Sequence, residues 1–213
     1  MTQAFLALAG ALAMAMNLVS IATDMDTVRK LTQGLPMLAL ACWVWPRGDR
    51  RVALGLLAGS AGGYLLNQQG GFLFGMIAFA IGHGLYVATF WSWQRTPAPL
   101  LLLPIVAYLA VILILMLAGP GPGAGPLTVP VVFYVGIIGA MIWRAAAISA
   151  DDTLNGFSRW GGLAGALLFA FSDTLIGVNK FAISLSGVSY PILLTYWGGQ
   201  LLIAITTVQR GKA

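Results

Sequence analysis

Apolar residues in this chain run together in long blocks instead of alternating or recurring on one helical face. Eight such blocks occupy residues 3–20, 31–45, 52–66, 72–93, 99–118, 129–148, 159–178 and 190–208. A helix that is hydrophobic all round lies in a core or in lipid. Crossing a bilayer takes about 20 apolar residues, somewhat fewer where the helix thins the membrane. The pattern therefore predicts an all-α, polytopic membrane protein with eight transmembrane helices in one bundle. Its second and third blocks are the shortest. Between the fifth and sixth, residues 119–126 read GPGPGAGP, which cannot be helical and forms a link. The first block starts almost at the first residue, without a basic leader or a clear small-residue cleavage site. It is expected to be a retained helix and not a signal peptide.

Composition excludes a soluble globular domain. Of 213 residues, 59% are hydrophobic and 8% charged, and the mean hydropathy is +0.89. No soluble segment interrupts the blocks, so residues 1–213 read as a single transmembrane domain. Cys42 stands alone, cannot form an internal disulfide, and is expected to be a small buried hydrophobe. The net charge of +5 sits in the links, where it sets topology and implies no nucleic-acid partner. With eight spans, Arg47, Arg50, Arg51, Arg95, Arg144, Arg159, Arg210 and Lys212 share a side with both termini, against Arg29, Lys30 and Lys180 opposite. By the positive-inside rule both termini are cytoplasmic, and a bacterial-type inner membrane is the expected location. Trp43, Trp45, Trp91, Trp93, Trp143 and Trp160 lie near block ends, as interface anchors do.

This orientation gathers the polar residues of the blocks toward one leaflet. Asn17, Ser20, Tyr64, Asn67, Ser172 and Asp173 fall near the outer ends of outward-running helices. Gln33, Thr195 and Tyr196 fall in the outer half of inward-running ones, with His83 and Gln200 nearer mid-depth. Polar side chains at such depth face a bundle interior or a wet pocket, which predicts a polar cavity open toward the outer leaflet.

Asp173 is the sharpest of these signals. A carboxylate within a span costs about 3 kcal/mol or more without a partner, so its default reading is functional. The alternative is a structural hydrogen bond to a neighbouring helix, with Tyr196 as a candidate partner. His83 and Tyr86, three apart, share a face of the fourth helix, either as site residues or as a satisfied interhelical pair. Tyr196 and Gln200, four apart, suit ligand contact or interhelical bonding equally. Gly161 and Gly165 form a small-xxx-small packing pair. With one His and one distant Cys, no transition-metal site is expected. No phosphate-cradling loop, nucleophile elbow or Cys pair points to a cofactor.

Four stretches in order, GMIAFAIGHGLYVATF, VPVVFYVGIIGAMIWRA, GALLFAFSDTLIGVNKF and LTYWGGQLLIA, closely resemble the YhhN family of eight-helix membrane proteins, which includes the animal lysoplasmalogenases. The resemblance implies hydrolysis of the vinyl ether bond of lysoplasmalogens. The substrate is then a membrane lysophospholipid, and the products are a fatty aldehyde and a glycerophospho-alcohol. By motif it carries over His83, Tyr86, Ser172, Asp173, Thr195, Tyr196 and Gln200. Two departures stand out. Where the family has Lys-Pro early in the second helix, this chain reads Gln33-Gly34 ahead of Leu35-Pro36. Where the family has Gly-Asp at the end of the third, it reads Gly63-Tyr64, or Gly62-Gly63 if the register slips by one. Laying residues 54–72 over 163–181 without gaps puts Tyr64 opposite Asp173. Loss of a Lys and an Asp together looks like removal of one buried ion pair, because losing a single partner strands a charge at about 3–5 kcal/mol.

Vinyl ether hydrolysis begins with a proton delivered to carbon, and water then attacks the oxocarbenium ion. A buried carboxyl keeps its proton more readily than one in water, which makes Asp173 the candidate donor. Tyr64, or His83 acting as base, stands in for the second acid. Ser172, Tyr86, Thr195, Tyr196, Gln200, Gln33 and Asn67 are the candidate substrate contacts. Two rivals use the same residues. One is a lipid-binding or scaffolding relative without the chemistry, which the missing acid favours. The other is a small-solute or proton-coupled transporter, which requires discontinuous helices and a path open to both sides. The topology has its own test: reporter fusions at Ala213 and within residues 119–126 give opposite sides of the membrane, and a shared side refutes eight spans.

Overall fold

The computed structural model describes residues 3–211, and every regular element among them is helical. Nine α-helices follow in order: α1 (Gln3–Ala22), α2 (Asp26–Thr32), α3 (Leu35–Val44), α4 (Arg50–Leu66), α5 (Phe72–Trp93), α6 (Leu102–Ala118), α7 (Thr128–Ser149), α8 (Gly156–Phe181) and α9 (Ser189–Arg210). Single 3₁₀ turns, Pro99–Leu101 and Gly125–Leu127, lead into α6 and α7. Six helices are long and apolar enough to cross a membrane: α1, α5, α6 and α7 with their 3₁₀ turns, α8 and α9. The remaining three have 7, 10 and 17 residues. Lys212, counted above for topology, lies outside the described residues.

The second apolar block is not one helix. α2 ends at Thr32, and the chain turns at Gln33 and Gly34 before α3 begins. Pro36 sits in the first turn of α3, a position that tolerates its missing N–H, whereas a continuous helix would not. Gly34 makes the turn possible against α4, since a Cβ there would meet Ser60 Oγ at 2.5 Å. The Ser60 hydroxyl donates to the Gly34 carbonyl at 2.9 Å. Cys42, expected to be buried, is exposed on α3. An apolar thiol facing outward carries no penalty where the surroundings are hydrocarbon.

The chain divides into two compact units, Met1–Thr89 with Ile203–Ala213, and Phe90–Leu202. In the first, α3 packs against α1 and α4, and Met37, Val44, Val52 and Leu56 are fully buried. Gly55 and Gly62 are two helical turns apart on α4. They form notches for two rings equally spaced on α5, Tyr86 at Gly55 and Phe79 at Gly62. Small residues at such positions let helix backbones approach closely. Asp49 caps α4 by accepting from the Arg51 N–H at 2.8 Å. Its carboxylate is gripped by the Arg51 guanidinium at 3.1 and 2.7 Å, and its own N–H donates to Thr207 Oγ1 at 2.9 Å.

In the second unit α7 packs on α8, and α6 lies across both. Glycines again set the approach: Gly139 faces Leu109, and Gly177 faces Met116. α8 and α9 run antiparallel in a single register, in which Gly165 meets Gly199, Phe169 meets Tyr196, and Ser172 meets Ile192. The small residue anticipated at Gly165 thus acts in packing. Arg144, counted among the link charges, is fully buried within α7. It lies over the rings of Trp91 and Trp143 at 4.4 and 4.9 Å and donates to the carbonyls of Gln94 and Thr96. A cation there complements the C-terminal end of α5. Trp143 Nε1 donates to the Ala98 carbonyl at 3.0 Å, so both side chains hold the link that leads into α6.

Two consequences are measurable. A Cβ at Gly199 would stand 2.8 Å from the Gly165 carbonyl and 2.9 Å from the Phe169 nitrogen, both backbone atoms, whereas one at Gly198 would make an ordinary contact of 3.6 Å. Gly199→Ala therefore costs about 1–3 kcal/mol by overpacking and lowers the melting temperature in detergent, while Gly198→Ala leaves it near wild type. Burial alone would raise the Asp49 carboxyl, but hydrogen bonds and charge from Arg51 outweigh it and hold Asp49 below its ordinary 3.8. A carboxyl lowered on folding adds stability above its unfolded value and loses that contribution as pH falls through the folded one. Asp49→Asn is therefore less stable than wild type at neutral pH, and melting curves of the two converge in acid.

Candidate functional site

Of the six acidic residues, all Asp, only Asp173 lies in one of the six long helices. α8 turns Gly165, Phe169, Ser172 and Asp173 inward, the spacing of one helical stripe, and Asp173 is 7% exposed. Tyr134 on α7 donates its hydroxyl to Asp173 Oδ2 at 2.8 Å. Tyr134 packs against the apolar cluster formed by Ile138, Ile142 and Ala170. Next to it, Thr174 Oγ1 is hydrogen-bonded to the Tyr108 hydroxyl of α6 at 2.5 Å. α8 is thereby tied to α7 and to α6 at adjacent residues.

The other candidates of this unit lie on α9. Tyr196 is buried and packs edge-on against Phe169 at 5.2 Å. Gln200, one turn further, is fully buried. Ser172 donates to the Ile192 carbonyl at 2.9 Å. Thr195 donates to its own helix at the Pro191 carbonyl, 2.6 Å away, the usual recourse of a Thr within a helix. Asp173, Tyr196 and Gln200 therefore occupy inward stripes of packed helices, while the hydroxyls of Ser172 and Thr195 bond to backbone.

The first unit holds the remaining candidates. His83 is fully buried, and its Nδ1 lies 2.6 Å from the Phe79 carbonyl one turn back. Tyr86, on the same face, fills the Gly55 notch. Asn67 Nδ2 donates to Gln33 Oε1 at 2.5 Å and to the Gly63 carbonyl at 2.9 Å. Gln33 and Asn67 are thus brought together as a neutral amide pair between the α2–α3 turn and the end of α4. Asn17 extends the polar group, donating to the Arg29 carbonyl and Thr32 Oγ1 at 2.8 and 3.0 Å. Tyr64 is 46% exposed. Among the described residues, no three His, Cys, Asp or Glu side chains gather as a metal site would require.

Tyr134 went unmarked among the candidates because its block is apolar and aromatic residues are common in such blocks. One signal was present: no other polar side chain precedes Trp143 in residues 129–148.

Residues 28–207 match the YhhN family. The chain belongs to the YhhN family. Among relatives of this YhhN chain, the lysoplasmalogenase TMEM86B of Homo sapiens is 34% identical over 84% of the chain and 75% of its own length. The lysoplasmalogenase TMEM86A of Bos taurus is 34% identical over 75% of the chain. The lysoplasmalogenase of Mycobacterium tuberculosis (strain CDC 1551 / Oshkosh) is 28% identical over 78% of it. The match spans 65% of the bovine protein and 64% of the mycobacterial one. No solved structure matches the chain. The YhhN match includes Gln33, Asn67, His83, Tyr134, Asp173, Tyr196 and Gln200.

Proposed function

We propose that this protein is a lysoplasmalogenase that cleaves the vinyl ether bond of a lysophospholipid taken from the bilayer, with Asp173 as proton donor. One observation carries the reading: the sole acid of the long helices is buried and held by a hydroxyl donor, in a family whose named relatives are lysoplasmalogenases. The alkene carbon of a vinyl ether is weakly basic, so its protonation needs a positioned acid. Asp173 gives its proton to that carbon, and the ether oxygen donates a lone pair to form the oxocarbenium ion. Water adds and returns a proton to the carboxylate. The resulting hemiacetal breaks into aldehyde and alcohol, consuming one water in total. Tyr196, Gln200, Ser172 and Thr195, from the same unit as Asp173, contact substrate in this reading.

The reading includes one transmembrane domain of eight spans in a bacterial-type inner membrane, with both termini cytoplasmic. The 17 residues of α4 reach about 25 Å at 1.5 Å per residue, and α2 and α3, on either side of their turn, reach about 10 and 15 Å. In this reading α4 makes the seventh crossing where the bilayer is thinned, and α2 with α3 makes the eighth as a helix broken at its turn.

The neutral Gln33–Asn67 pair favours a second reading. It stands in the region where the family pattern carries Lys and Asp, and an amide pair can bind a lipid without supplying charge to a cation. A relative that holds lysolipid without cleaving it follows from that.

Purified protein in lipid nanodiscs given lysoplasmalogen decides between the two. Release of fatty aldehyde is expected from wild type, and none from Asp173→Asn, whose melting temperature stays close because Asn preserves the volume. Lysolipid binding without aldehyde selects the second reading. Full turnover by Asp173→Asn ends its role as acid.

A further inference from the structure

We infer that Tyr134 is a positioning residue for the acid step: its hydroxyl determines which oxygen of Asp173 delivers the proton and stabilises the charge left behind. The inference rests on the reading of Asp173 as acid and adds a second residue to that step. Tyr134 donates to Oδ2 at 2.8 Å. In a neutral carboxyl the oxygen that accepts from a hydroxyl is the carbonyl oxygen, so the transferable proton is carried on Oδ1.

Transfer of that proton makes a new C–H bond from the alkene π electrons and leaves a carboxylate. The Tyr134 hydrogen bond then becomes charge-assisted, roughly twice as strong as its neutral form. An interaction that strengthens as the transition state forms accelerates the step, whereas one of constant strength would not. Packing supports the role. Tyr134 packs against an apolar cluster drawn from its own helix and from α8, which restrains its hydroxyl relative to the carboxyl it serves. The Tyr108–Thr174 bond ties α8 to α6 at the next residue. The carboxyl and its donor therefore sit at a point where three helices are joined. Water's attack on the oxocarbenium ion returns a proton to Asp173 and restores the starting pair, with nothing oxidised or reduced.

The test compares wild type, Tyr134→Phe and Asp173→Asn, each the full chain in nanodiscs. Tyr134→Phe keeps the ring and its packing, so KM for lysoplasmalogen stays at the wild-type value while kcat falls about 10²-fold, as when one donor to a developing anion is lost. An infrared measurement supplies a readout independent of turnover. The carboxyl C=O stretch that disappears in Asp173→Asn moves to higher frequency in Tyr134→Phe, because its carbonyl has lost a hydrogen bond. A tyrosine that merely joined helices would change the melting temperature and leave kcat intact. Wild-type kcat in Tyr134→Phe, or an Asp173 band that does not move, overturns the inference. If wild type releases no aldehyde, the hydrolase reading fails by itself, and the band still decides whether Tyr134 governs the Asp173 carboxyl.

Discussion

A carboxyl group in a hydrocarbon-embedded helix must be hydrogen-bonded, because no water is there to solvate it. Asp173 meets that condition through Tyr134, and the second unit is built so that it can. The bond demands that α7 and α8 lie close, and the two helices pack directly on each other, while glycines set how their other neighbours approach. Gly165 and Gly199 bring α8 and α9 into near-backbone contact, while Gly139 and Gly177 admit Leu109 and Met116 from α6. A larger residue at Gly199 meets backbone of α8 and shifts a helix, and a shift of an ångström is enough to weaken a hydrogen bond sharply.

The first unit follows the same rule with different chemistry. Its α4–α5 contact is two ring-in-notch pairs, and polar residues pair as neutral groups: Asn17 with Thr32, and Gln33 with Asn67. Charge is confined to the ends, where Asp49 and Arg51 cap α4. Arg144 shows how a buried cation is tolerated in the second unit without an acid at hand. Two indole faces and two carbonyl oxygens at a helix C-terminus replace its hydration.

Much of the fold was legible before any coordinates, because apolar runs in a membrane protein map directly onto helices. The fourth block, 72–93, coincides with α5, and the GPGPGAGP link separates α6 from α7. The break at Gln33 and Gly34 was harder to see, since Pro36 marks a helix start as readily as a kink, and only the Ser60 contact shows why the chain turns there. At the candidate site, Asp173 was legible because an intramembrane acid is expensive. Tyr134 was not, because a hydrogen bond between helices far apart in sequence leaves no periodic trace. Cys42 and Arg144 were misplaced for one reason: in a membrane protein, exposure no longer follows polarity.

The central claim is that a carboxyl fixed in the bundle, and not bulk water, protonates the vinyl ether carbon. Hydrolysis in deuterium oxide, with the aldehyde reduced at once to the alcohol to prevent exchange, tests it most directly. A fixed acid delivers deuterium to one face of the alkene, so the product should carry a single deuterium on the carbon next to the former carbonyl, in one configuration. A racemic label, or a product with no deuterium at that carbon, would contradict the account.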